Sequence, residues 1–266
     1  MFRSHGIKPL AVRPVETFTL LGLGVSTVLL ASVFWLPAAV LSPLLPHSWA
    51  CERWSGGLWH GECRTLTADG MTMGALGWKI HGFDTASVWW QREDSHLRAR
   101  VSPLGARRLT LDSVRGRLDL ATLRELVGPR ATSFAGGLRA DGRIELDLEQ
   151  LRLVSPEGRR SYELEAIAGR LALRRIQIFG FATVLPDIDL IWDSVRAAQP
   201  PWIARLESQP GPLQIAGTLE FPNGSGYRLV GRAFVRDGSS ELGRLLARLG
   251  RPEAGGAVTL ELSGTW

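Results

Sequence analysis

Two patterns of apolar and polar positions divide the 266-residue chain. No charged residue stands between Glu16 and Glu52, and the core of that run, residues 17–36, reads TFTLLGLGVSTVLLASVFWL. Its length is about what a helix needs to cross a hydrocarbon layer of roughly 30 Å. Past residue 65 the pattern changes to short alternating runs broken by Gly, Pro, Asp and Ser. Strands are predicted over 86–90, 97–101, 107–111, 143–148, 162–166, 171–178, 188–192, 213–221, 227–236 and 257–263. The period of two is plain in Arg143-Ile144-Glu145-Leu146-Asp147-Leu148 and in Val258-Thr259-Leu260-Glu261-Leu262. One buried and one wet face is the habit of antiparallel sheet. Helical signals are few. Residues 119–127 have Asp119 as N-cap and stop at Gly128-Pro129, and residues 239–249 have Ser239 or Ser240 as cap and stop at Gly250.

A short echo recurs through the strands as VRGRL at 114–118, IAGRL at 167–171, IAGTL at 215–219, LVGRA at 229–233 and LSGTW at 262–266. It places Gly116, Gly169, Gly217, Gly231 and Gly264 inside strands, where glycine marks a bulge, a bend or a close backbone approach. Repeated so, these glycines let one long meander curl. The predicted fold is mainly β, with an N-terminal single transmembrane helix followed by a curved antiparallel sheet or partial barrel and one or two short helices. The predicted division is a cytoplasmic segment 1–16, a transmembrane helix 17–36, a periplasmic neck 37–65 and a β-rich periplasmic domain 66–266.

Charge orients the chain. Arg3, Lys8 and Arg13 precede the apolar run and residues 37–50 carry no Lys or Arg. That bias keeps the N-terminus cytoplasmic and exports the rest. The rival is a secretory signal cleaved after Ala39, but signal cores of about 7–15 residues are shorter than this run. Export also explains the two cysteines, Cys51 and Cys63: such a pair forms one disulfide, worth on the order of 3 kcal/mol in the chain-entropy model. The formal net charge is +5 and Lys8 and Lys79 are the only lysines. Arginines scattered among acids describe solvated strand faces, not a nucleic-acid surface.

No catalytic constellation, metal site or cofactor motif emerges. The histidines are dispersed, Gly-x-Ser-x-Gly and the P-loop are absent, and Gly22-Leu23-Gly24 lies inside the apolar run. Asp187 and Asp189 alternate on a strand, where solvated carboxylates outweigh an acid–base pair. The unusual feature is tryptophan, ten in all. Trp35 and Trp49 flank the apolar run as interfacial anchors. Trp54, Trp59, Trp78, Trp89 and Trp90 divide between core packing and a protein interface, where Trp is enriched.

The block WSGGLWHG at 54–61, with Gly57 and Gly61 as structural glycines, is followed by LGWKI at 76–80. Further on stand GYRLVGR at 226–232, LLARLG at 245–250, GGAVTL at 255–260 and LSG at 262–264. In that order, behind an anchor, the chain resembles protein N of the bacterial type II (general) secretion pathway. The resemblance implies a non-enzymatic accessory protein, single-pass in inner-membrane lipid, with a periplasmic domain that contacts the inner-membrane platform and the outer-membrane secretin. It transfers no functional residues. The alternatives are a membrane-anchored periplasmic lipid-binding or lipid-transfer protein with a curved sheet groove, and an outer-membrane barrel, which the charged strands and the N-terminal span oppose. The oligomeric state is open.

Overall fold

The computed structural model describes residues 32, 35–82, 84–103, 108–127, 133–134, 138–155, 163–179, 184–193, 200–211, 213–222, 226–236, 241–253 and 255–265. The predicted span 17–36 lies almost wholly outside them, and no helix among the described residues is long and apolar enough to cross a membrane. What they form is one open, curved antiparallel sheet of sixteen strands. Nearly every strand pairs with its sequence neighbour. A sheet of this extent must curl, because each strand is rotated relative to the last.

One end is built by β1 (Trp49–Cys51) and β2 (Trp54–Gly56), which share the outer edge of β3 (His60–Ala68). Next come β4 (Met71–Ile80), β5 (Ala86–Arg92), β6 (Ser95–Pro103) and β7 (Arg108–Asp119). Helix α1 (Leu120–Val127) and the short β8 (Ser133–Phe134) lead into β9 (Leu138–Val154), which pairs with β7. The meander goes on through β10 (Glu163–Ile178), β11 (Ile188–Trp192), β12 (Trp202–Ser208), β13 (Leu213–Phe221) and β14 (Gly226–Val235). After α2 (Glu241–Leu249) the two-residue β15 (Arg251–Pro252) touches the outside of β16 (Ala257–Thr265), which pairs with β14.

Several strands differ from the sequence expectation. Residues 162–166 and 171–178 are one strand, β10, because Gly169 adopts φ +120° and absorbs a register shift after Ala168 without ending the ladder. Glycines and tryptophans interrupt the alternation of β3 and β4 and hide both in the sequence, and β3 runs on through position 65 with a register shift between Cys63 and Leu66. β12 begins directly behind Pro200-Pro201 and carries Ile203 on its wet side, which hid it. Asp119 ends β7 and its carboxylate accepts from Arg143 Nε at 3.2 Å, with α1 starting at the next residue.

Cross-strand register fixes the faces, since residues opposite each other point the same way. One row crosses the sheet as Trp54, Cys63, Leu76, Trp90, Leu97, Gly116, Leu146, Leu171, Leu190, Leu206, Gly217, Gly231 and Leu260. Every member is apolar or glycine. The row beside it runs Val114, Leu148, Gly169, Trp192, Ala204, Leu219, Leu229 and Leu262. On this face Ile188, Leu190, Trp192, Trp202, Ala204 and Leu206 form a buried cluster in the second half of the sheet. One end of the face is covered by the helices. Leu242 and Leu246 of α2 pack on Leu213, Ala233, Val235 and Val258, and Leu120 of α1 packs on Ala140 and Ile176.

Candidate functional site

The opposite face is laced with ion pairs between neighbouring strands. Arg115 Nε meets Asp147 at 2.9 Å, Arg170 meets Asp189 at 2.7 Å, and Arg228 meets Glu261 at 2.7 Å. Arg174 sits at the centre of the densest group, 3.0 Å from Asp189, 3.3 Å from Glu145 and 3.7 Å from Asp187. Asp187 and Asp189 are therefore partners of an arginine, not a free acid–base pair. His96, Arg117, Glu145, Arg170 and Arg174 line an open depression of about 330 Å³ on this face. Its cations already face carboxylates and no nucleophile stands among them. Arg228 donates to Glu261 and holds its carboxyl below the ordinary value of 4.5. Among the described residues no group of three or more His, Cys, Asp or Glu is placed to hold a metal ion.

The tryptophans expected at an interface do not form one patch. Trp54, Trp78 and Trp90 are on the apolar face, with Trp54 and Trp78 packed edge to face at 6.0 Å between ring centroids. Trp89 is on the wet face, 6.3 Å from the His60 ring. Trp59 stands half-buried in the turn between β2 and β3. Trp78 Nε1 donates to the Leu58 carbonyl at 2.8 Å and Trp90 Nε1 to the Met73 carbonyl at 2.7 Å, so both rings are tied into the sheet.

Glycines explain why the aromatics stand where they do. Gly61 is opposite Trp78, Gly77 opposite Trp89 and Gly264 opposite Tyr227. In each pair the ring lies over the glycine, and a Cβ there would fall within 2.6 Å of a ring atom. An aromatic covering a cross-strand glycine restores the surface the glycine lacks. Gly217 and Gly231 face each other directly, and a Cβ on Gly217 would stand 2.6 Å from the Gly231 Cα. Gly116 is as tight, with 2.1 Å to the His96 carbonyl oxygen. Gly57 bridges to Pro37, joining the segment before the sheet to its first strands. Cys51 and Cys63 form a disulfide with Cα atoms 5.9 Å apart, fastening the edge strand to β3.

These contacts make the two sheet ends unlike. At the first, Glu52 and Arg53 break β1 from β2, the disulfide ties them down, and Leu58 N donates to the Leu36 carbonyl at 2.9 Å. At the other, β15 covers only Val258 and Thr259 of β16. The alternation VTLEL at 258–262 marks the strand in the sequence, but not that its outer side is the exposed one.

A family model matches residues 48–261, and its description is type II secretion system (T2SS), protein N. The chain belongs to the type II secretion protein N family. The match runs from the edge strand into β16, where it ends at Glu261, short of the last four residues of that strand. No curated protein and no solved structure matches the chain. Membership makes it a component associated with type II secretion machinery, in a family that is not a known enzyme family. The Gly–Trp pairs, by which the sequence resembles protein N, are packing units of this sheet.

Proposed function

We propose that this protein is a non-enzymatic scaffold of the type II secretion machine, anchored in the inner membrane by residues 17–36 and holding its sheet in the periplasm. The observation that carries the reading is the unbroken ladder from the stapled strand at Trp49 to the edge of β16. Such a sheet transmits position from one end to the other, and many of its charged groups are spent on cross-strand pairs. Trp35 is 87% exposed beside that first end, as an interfacial aromatic would be. The partners on this reading are the inner-membrane platform and the outer-membrane secretin. Deleting the coding sequence should lower secretion of exported hydrolases and the abundance of platform subunits. Unchanged secretion with unchanged subunit levels sinks the scaffold reading.

A second reading, a periplasmic lipid carrier, is favoured by the apolar row. Leu76, Trp90, Leu97, Leu146 and Leu171 are only half-buried, and the indole N–H groups of buried Trp192 and Trp202 have no acceptor among the described residues. Buried donors are normally satisfied. Mass spectrometry of the full-length protein in mild detergent would find stoichiometric phospholipid if this reading holds, and Leu171→Asp would abolish it. Lipid at the level of the detergent background would end it.

A further inference from the structure

Among the described residues, the outer edge of β16 is the less protected of the two sheet ends. In an antiparallel ladder alternate residues direct both backbone groups to one side. Glu253 N donates to the Ala257 carbonyl at 2.8 Å across the outer edge, so Ala257 and the odd-numbered residues after it point outward. Thr259 is used by Arg251. Glu261, Ser263 and Thr265 then present outward backbone groups with no partner among the described residues. Natural sheets blunt an edge with charge, proline, a bulge or a covering segment. The first end has such devices: Glu52 and Arg53, a break in the strand, and the chain crossing with Pro37 at Gly57. Residues 260–265 (LELSGT) have one charge, Glu261, and Arg228 of the neighbouring strand neutralises it at 2.7 Å.

We propose that the edge of β16 from Leu260 to Thr265 accepts a strand from another polypeptide of the secretion machine by β-addition. The partner segment is extended, with apolar residues that continue the row of Leu260 and Leu262 and polar residues on the face of Glu261 and Ser263. Backbone bonds supply the affinity and the alternating side chains the selectivity. A second copy of this chain is the poorer occupant. Six residues against six bury far less than the roughly 1,200–2,000 Å² of a stable interface. Between components held in one machine, tethering raises the effective concentration to the order of mM, and a small contact suffices. The inference rests on the scaffold reading above.

The test uses the full-length protein in cells. Ser263→Pro removes one outward N–H and no bond to β14, a position where an edge tolerates proline. It should keep wild-type abundance and lower recovery of machine subunits at least tenfold, while Ser263→Ala changes nothing. A photo-crosslinker at position 263 in the otherwise unaltered chain should capture a machine subunit, and one at position 55 should not. Wild-type recovery with Ser263→Pro, no adduct at 263, or an adduct with a second copy each overturns the proposal. If Ser263→Pro prevents folding, the crosslinker alone decides. A secretion defect on deletion, with no adduct at 263, leaves the scaffold reading standing and removes only this edge.

Discussion

Gly61 and Trp78 face each other across β3 and β4, and the indole occupies the space a side chain on Gly61 would need, 2.4 Å from its Cβ position. The ring in turn donates its N–H to the Leu58 carbonyl, so glycine, indole and turn form one unit. Gly77 under Trp89 repeats the device on the other face.

Gly61→Val should therefore destabilise the protein by about 1–3 kcal/mol, the usual cost of overpacking. Urea midpoints of the two proteins check this. Gly70→Val is the control, because nothing lies within 4 Å of a Cβ there. Its φ of +78° still disfavours valine, so the comparison is the excess loss at Gly61.

The disulfide holds the edge strand at the stapled end. Replacing both Cys51 and Cys63 by Ser should cost roughly 3 kcal/mol, seen as a lower denaturation midpoint in oxidising buffer. Adding reductant to the wild type should reproduce the loss, and adding it to the double variant should do nothing further.

Arg174 is largely shielded from solvent and faces three carboxylates. Arg174→Met leaves Asp189, itself mostly shielded, without that charge, and about 2 kcal/mol should be lost. Arg174→Lys should recover only part, since a point charge cannot meet three acceptors as a planar fork does. Denaturation of the three proteins in parallel distinguishes a charge effect from a packing one.

Glu261 is depressed by its hydrogen bond from Arg228 and by that cation's charge. A group whose folded pKa is lowered contributes stability above its unfolded value, and that contribution is lost as pH falls through the folded value. The loss should begin near pH 4.5, the ordinary value, and continue below it. Stability profiles of wild type and Glu261→Gln should converge in acid and separate above that range, with the wild type higher. Both side chains are exposed, so added salt should narrow the gap.

The alternation of apolar and polar residues by itself determined that the chain is a β-meander with one wet face. A period of two has one physical meaning, and Ile144, Leu146 and Leu148 carry it unaided. The cysteine pair was equally legible. Two nearby thiols have little else to bond wherever the surroundings are oxidising, and Cys51 and Cys63 are joined. What only the tertiary structure decided is the alignment of those local patterns. No single strand shows that Trp54 and Leu260 belong to one row, because that row passes across eleven intervening strands, whose ladders include register shifts such as the one at Gly169. Nor does sequence spacing show that Trp78 and Trp90 share a face across two strands, or that one edge is covered and the other bare. Each depends on which backbone groups already have partners, and that is a property of the assembled sheet.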